Sequence, residues 1–241
     1  MERQIVLRWA TRQDIAAITD ILVENFMHFE LYDHIAPTRR QHPDEYRRFV
    51  SHRVKLFYAK SEARYMVAEA SLPTTNGVQQ TAIVGFATWE ALGSENLLAE
   101  QWRHLSSGWT AKLERSLVSL DLQYYRYCLD RIVDYDALDG IVNKLHSTYE
   151  HRDGLQNCLH LQFLMVDPGW QRGRGIGRKL LQWGIDVAKE RGLPVVIESS
   201  LVGYDFYLKH GFRLLEYVRV GTVSDKAYDA PIVVYDPREK P

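Results

Sequence analysis

At 241 residues the chain exceeds a typical ~150-residue domain, so one large domain, or a domain carrying an insertion, is expected. Hydrophobic residues at 46% and charged residues at 25% exclude wholesale disorder. Lys+Arg at 30 against Asp+Glu at 31 give a net charge of −1, which argues against a general nucleic-acid binder.

In chain order, Gln4 to Trp9 reads as a short strand. It runs into Thr11-Arg-Gln-Asp14, a capping-box-like start in which Thr11 and Asp14 can satisfy orphan amides. Ile15, Ile18, Ile21, Leu22 and Phe26 then recur at helical spacing to Met27. His28 to Pro43 has no clear period and reads as a loop. Asp44 to Lys60 is helical, with Tyr46, Phe49, Val50, Val54 and Phe57 on one side. Ala63 to Ala70 and Thr81 to Glu90 read as a hairpin around Thr75-Asn-Gly77.

From about Ser94 to Gly154 the texture changes. Leu98, Trp102 and Leu105, then Leu113 and Leu117, then Ile141 and Leu145 fall at helical spacing. Two or three helices, inserted between strands over roughly 94–154, are expected within a single domain spanning 1–241. Leu159 to Val166 is a dense apolar strand ended by Asp167-Pro168. Gln171-Arg-Gly-Arg-Gly-Ile-Gly177 follows, opening a helix to Arg191 that Gly192 and Pro194 stop. Pro194 to Ser199 is a buried-type strand, Asp205 to His210 a short helix, and Arg213 to Val220 and Ile232 to Tyr235 the last strands. Strand, glycine turn, helix and strand make a parallel βαβ unit.

Three phosphate-binding readings compete for the glycine turn. A Walker loop needs G-x-x-x-x-G-K-[ST], but Leu180 stands where its hydroxyl would be, so that reading fails. Gly173, Gly175 and Gly177 give G-x-G-x-G, the wrong spacing for a dinucleotide fingerprint. The third is R-x-x-G-x-G, from Arg172, Gly175 and Gly177. Glycines there let the backbone approach an anion, and the unpaired first-turn amides and dipole of the following helix favour a pyrophosphate. Arg174 and Arg178 can add charge-assisted contacts. An ordinary strand-to-helix turn, using glycine for clearance, is the alternative.

Leu164-Met-Val-Asp-Pro168, Gln171-Arg-Gly-Arg-Gly-Ile-Gly-Arg-Lys-Leu-Leu181 and Asp205-Phe-Tyr-Leu-Lys-His-Gly-Phe212 resemble the GCN5-related N-acetyltransferase (GNAT) superfamily. Arg8, Ala10, Thr11 and Asp14 also look like the family's first strand and helix. The resemblance covers about 1–90 and 155–235. The helical block is not part of the minimal family core, and the chain looks most like fungal-type members.

The resemblance implies an α+β (α/β) acyl-CoA acyltransferase fold: a mostly antiparallel mixed sheet with one splayed parallel strand pair, flanked by helices. It implies acetyl-CoA as cosubstrate, lying between Leu159–Val166 and Pro194–Ser199. Backbone groups at Leu164, Met165 and Val166 would pair with the pantetheine arm. Amides from Arg172 through Gly173, Arg174, Gly175, Ile176 and Gly177 to Arg178 would hold the pyrophosphate. The activity implied is N-acetyl transfer to a primary amine by direct attack in a ternary complex. Tyr207 takes the place of the general acid for the departing thiolate; a core tyrosine is the plainer reading. Glu198 and His160, on the splayed strand and its neighbour, are candidates for the base, or structural contacts.

Acceptor specificity is expected from His28–Pro43 and the helical block. Tyr124, Tyr125, Tyr127 and Tyr135, interleaved with Asp121, Asp130, Asp134, Asp136 and Asp139, would suit a cationic amine. A solvated acidic face with aromatic core contacts is the alternative. His28, His34 and His42 fit no metal-site spacing, and Cys128 and Cys158 are too few for a disulfide framework, so no metal is expected. The first residues are charged from the second onward and no apolar run approaches ~20 residues, so neither a signal peptide nor a membrane span is expected. A cytoplasmic protein, with the nucleus left open, is the expectation. A non-catalytic acyl-CoA-binding or interaction module on the same fold is the competing function. The acceptor and the oligomeric state are not readable.

Overall fold

The computed structural model describes residues 4–72, 80–171, 173–223 and 226–239. The expected Thr75-Asn-Gly77 turn and Arg172 lie outside these residues. The first strand, β1 (Ile5–Trp9), carries Arg8, whose guanidinium clasps Asp14 at 2.8 and 2.9 Å and reaches Glu69 at 2.5 Å. Asp14 also accepts from the Thr11 amide at 2.7 Å, which fixes the entry to α1 (Ile15–Met27). The Arg8 hydrogen bond, against the opposing effect of burial, holds the Asp14 carboxyl down at about 2.

The stretch His28–Pro43 is not wholly irregular: it contains one helical turn, α2 (Tyr32–Ile35). Its organiser is Arg39, fully buried, which donates to the carbonyls of Met27, Phe29 and Ala36, each at 3.2 Å, and pairs with Asp33 at 2.7 Å. A buried guanidinium must find such acceptors, and a compact loop supplies them. The predicted aromatic face of α3 (Pro43–Ala59) is buried: Tyr46, Phe49, Val50, Val54 and Phe57.

β2 (Ala63–Ser71) and β3 (Thr81–Leu92) pair antiparallel. Before the next strand the chain runs through α4 (Leu97–Leu105), α5 (Trp109–Tyr124), a π-helical turn at Tyr125–Leu129, and α6 (Tyr135–Glu150). Then come β4 (Cys158–Val166), α7 (Ile176–Arg191), β5 (Val195–Glu198), α8 (Leu201–Leu208), β6 (Arg213–Val223) and β7 (Lys226–Tyr235). Helix α8 starts earlier than the apolar pattern suggests, because Ser200 caps it by accepting from the Gly203 amide at 3.1 Å. Strand β7 reaches back beyond Ile232, since Tyr228, Ala230, Ile232 and Val234 alternate into the core once β6 is alongside.

The seven strands form one sheet in the order β1-β2-β3-β4-β5-β7-β6. Every neighbouring pair is antiparallel except β4–β5. This is the mixed α/β sheet, flanked by helices, that the sequence led us to expect. One face packs on α1, α3 and α6; the other packs on α4 and α7. Among the described residues, no helix is long and apolar enough to cross a membrane.

Candidate active site

The parallel pairing of β4 with β5 lasts for only two residue pairs, Leu159 with Val195 and His160 with Val196. Past them the strands diverge, and β4 changes from fully buried over Cys158–Leu161 to half-buried over Gln162–Val166. A bulge adds to the opening: Thr88 and Trp89 of β3 face Phe163 and Leu161, leaving Gln162 without a partner residue. The Met165 carbonyl is turned toward β3, since a Cβ on Gly85 would lie 2.9 Å from it. Strand alternation then gives Leu164 and Val166 the backbone groups on the splayed side. Val166 is partly committed there, its carbonyl accepting from Gln171 at 3.0 Å and Asn25 at 3.3 Å. Of the three residues expected to pair with an extended arm, Leu164 presents the freest backbone and Met165 faces the other way.

Beyond β4 the glycine turn delivers the N-terminus of α7 to the same end of the sheet. Gly173 and Gly175 have φ of 76° and 63°, a region that L side chains seldom occupy, while a Cβ at either would meet nothing within 4 Å. Conformation, not clearance, is what these glycines supply. Gly177 differs: its Cβ would make ordinary contacts with Phe206 and Val166 at 3.8 Å. No side chain caps the helix at Gly175, so the amides of Ile176, Gly177 and Arg178 point outward with no carbonyl one turn earlier. Arg174 stacks over Trp170 at 4.5 Å and donates to the Gly169 carbonyl at 3.2 Å, and Arg178 is exposed. The donor set suits a phosphate-bearing arm.

A cavity of about 260 Å³ sits in the splay. Its walls are mostly apolar, with Phe29, Leu145 and Phe206 among them, and its polar groups include Gln162, Glu198 and Tyr207. Tyr207 is buried against Phe206 and Phe212, with ring centroids 5.3 and 5.7 Å away, and burial pushes its phenol well above the ordinary value. It is therefore a neutral phenol at physiological pH, able to donate.

Glu198 and His160 are brought together. His160 Nε2 donates to Glu198 Oε2 at 2.5 Å, and its Nδ1 lies 3.6 Å from Glu90 Oε2. Lys60 closes the chain by donating to Glu90 at 2.6 Å. Burial alone would lower the imidazole's pKa, but the two carboxylates outweigh it and raise His160 to about 9. The reverse holds for the acids: burial opposes ionisation, yet His160 and Lys60 take Glu90 down to about 2, and His160 also lowers Glu198. Lys60, Glu90, His160 and Glu198 thus alternate in sign, and the chain is neutral as a whole. His160 is fully enclosed behind Glu198, which faces the cavity.

Sequence reasoning missed His146 and Tyr149 on α6. His146 Nε2 stands 3.8 Å from Glu198 Oε1, and Tyr149 packs against His160 at 5.7 Å. No local signal marks either residue; only the fold places α6 over the β4–β5 junction. Among the described residues, His146, His160 and Glu198 form a group of metal-ligand type, with donor atoms within 4.8 Å of one another. The direct His160–Glu198 bond engages Nε2 and Oε2 alone, while His160 Nδ1 and Glu198 Oε1 are buried without a hydrogen-bond partner. The tyrosine–aspartate series does not line this cavity; Tyr124 and Tyr127 are exposed, and several other members hold the fold together. Tyr125 donates to the Glu45 carbonyl, Tyr135 to Asp130, Asp139 pairs with Arg126, and Asp134 caps α6.

A family model described as "Acetyltransferase (GNAT) family" matches residues 141–212, which span the end of α6, the splayed strands, the glycine turn and α8. That segment carries the GNAT acetyltransferase signature. Among curated proteins, the chain is 46% identical over 48 residues to the probable acyltransferase SID5 of Ajellomyces capsulatus. That match covers 20% of this chain and 35% of the relative, so the chain is matched over only about a third of the relative's length. Solved structures share the GNAT fold. A Corynebacterium glutamicum protein described as histone acetyltransferase HPA2 and related acetyltransferase superposes with a TM-score of 0.57 at 18% identity, covering 100% of this chain and 99% of its own. A Staphylococcus aureus N-acetyltransferase gives a TM-score of 0.52, also at 18% identity, covering 98% and 99%. At such identities the likeness speaks to the GNAT fold alone.

Proposed function

We propose that this chain is an N-acetyltransferase that moves an acetyl group from acetyl-CoA to a primary amine by direct attack in a ternary complex. The observation that carries the reading is the meeting of three features at one splay. These are the free β4 edge at Leu164, the outward amides of Ile176–Arg178, and a cavity flanked by an ionised Glu198 and a neutral Tyr207.

In this reading the backbone from Gly173 to Arg178 holds the pyrophosphate, and the β4 edge aligns the pantetheine arm as an added strand. Glu198 is the anion that receives the acceptor's ammonium group. Freeing an amine of pKa ~10.4 for attack at pH 7 costs about 5 kcal/mol, so a nearby carboxylate must bind the cation and relay its proton. His160 acts through Glu198 as a positioning residue, fixing it toward the cavity. The amine nitrogen then bonds to the thioester carbon, the C–S bond breaks, the thiolate takes the Tyr207 proton, and the proton that the nitrogen sheds on becoming an amide restores the phenol. Phe29 from the loop after α1 and Leu145 from α6 set the apolar bounds of the acceptor site.

Incubation of the protein with acetyl-CoA and a panel of primary amines, followed by detection of free thiol, tests the proposal. Amine-dependent thiol release supports it. Tight CoA binding with silence across the panel would favour a non-catalytic acyl-CoA-binding module instead.

A further inference from the structure

The charge chain behind Glu198 leaves one question open: where the acceptor's proton goes. His160 cannot take it. The ring is fully buried, one nitrogen is bonded to Glu198, and the other faces Glu90. Tyr149 also lies beside Glu198, but its hydroxyl is buried and offers no path to solvent. His146 is placed differently. Its Nε2 lies 3.8 Å from Glu198 Oε1, a buried oxygen that has no hydrogen-bond partner. Its Nδ1 lies 4.0 Å from Glu150 Oε1, one turn further along α6. The two ring nitrogens therefore face a buried carboxylate and a half-exposed one, and the His146 side chain itself is 28% exposed.

We infer that His146 is the proton exit of the acceptor site, carrying the proton from Glu198 Oε1 to water at Glu150. The inference rests on the acyl-transfer reading above. The substrate N–H bond breaks and the proton passes to Glu198 as an O–H. Glu198 returns to carboxylate as the proton moves to Nε2, through one bridging water or a small ring adjustment. The imidazolium then releases its Nδ1 proton to solvent, leaving a neutral ring protonated at Nε2, which returns to the Nδ1–H tautomer by proton exchange with water before the next turnover.

The groups facing His146 are Glu198 of β5, His160 of β4, Glu90 of β3, and Glu150 and Tyr149 of its own helix. Burial, reinforced by the cation at His160, outweighs the carboxylates and holds the His146 pKa below its ordinary value. The ring is thus neutral and able to accept at physiological pH. Since α6 belongs to the helical segment between β3 and β4, this segment supplies a working part of the reaction as well as a wall of the cavity.

The test compares wild type with His146→Ala and His146→Gln, using circular dichroism to confirm folding and the amine that wild type acetylates best. Loss of the exit predicts that kcat falls tenfold or more at pH 7. The acid limb of the kcat profile should flatten, and added imidazole should restore His146→Ala in a concentration-dependent way. A merely structural histidine would show none of the imidazole rescue. If folded His146→Ala keeps its kcat, or loses it with an unchanged pH profile and no rescue, the exit role is overturned while acyl transfer stands. If wild type releases no thiol with any amine, the acyl-transfer reading itself has failed, and the exit with it.

Discussion

His160 Nε2 and Glu198 Oε2 lie 2.5 Å apart, on the two strands whose parallel pairing ends beside them. The bond makes an ion pair of two residues that chain position alone presents as rival bases. His160 is raised to about 9, so its contribution to stability is fully present below its ordinary pKa of 6.5 and is lost as pH rises through about 9. Glu90, lowered to about 2, contributes above its ordinary pKa of 4.5, and that contribution is lost as pH falls toward about 2. The chain therefore adds most between about pH 4.5 and 6.5. Removing the imidazole by His160→Leu strands the buried Glu198 and leaves Glu90 with Lys60 alone, and should cost about 3–5 kcal/mol at pH 6. Urea unfolding at pH 6 and pH 9.5 checks this: the wild-type advantage over the variant should shrink markedly at the higher pH.

Glu198→Gln keeps the shape of the side chain but removes the charge that faces the cavity. Acetylation of a cationic amine should drop about 100-fold in kcat/KM, within the range of general acid–base groups. Affinity for acetyl-CoA should stay, because the donors to its phosphates lie on the glycine turn. Steady-state kinetics against both substrates separates these effects.

Tyr207→Phe keeps the ring packing on Phe206 and Phe212 and removes only the hydroxyl. With Tyr207 as proton donor, kcat should fall roughly 10- to 100-fold with little change in KM for acetyl-CoA. Because burial raises the phenol above its ordinary value, Tyr207 should give wild type no alkaline loss of activity below about pH 10. A full pH–kcat profile of both proteins decides it.

What could be read without coordinates was local. The capping box of Thr11 and Asp14, the turn at Gly173 and Gly175, and the extent of α7 up to Gly192 each depend on neighbours a few residues away. Relations across elements could not be read. The Gln162 bulge needs the β3 register, and the nearness of His146 to Glu198 needs α6 laid across the sheet. The tyrosines and aspartates between Asp121 and Asp139 show the limit well. Composition suggests a lining for a cation, but helix phase turns Tyr125 inward to Glu45 and spends Asp134 on a cap.

The conformation of Gly175 gives a separate prediction. Alanine at φ of 63° costs about 1–2 kcal/mol although it meets no atom within 4 Å. Gly175→Ala should thus lower stability modestly, and it should weaken acetyl-CoA binding more than it slows turnover at saturation. Gly177→Ala, with ordinary 3.8 Å contacts at its Cβ, should be milder on both counts. Calorimetric titration with CoA on the two variants gives the comparison.

Gly184 of α7 is required for a different reason. A Cβ there would lie 2.0 Å from Cη2 of Trp89, an indole with no exposed surface on the central strand β3. Neither partner can yield easily, since α7 covers that face of the sheet and Trp183 borders the same indole at 5.5 Å. Overpacking of this kind should cost about 3 kcal/mol, a fall of roughly 10 °C in Tm for a chain of this length. Shrinking the indole reverses the sign. Trp89→Phe alone should destabilise by leaving a void, yet in the Gly184→Ala background it should recover part of the lost stability. A double-mutant cycle by thermal unfolding measures that coupling directly. Additive losses would mean that the helix moves away from the sheet instead of clashing with the ring.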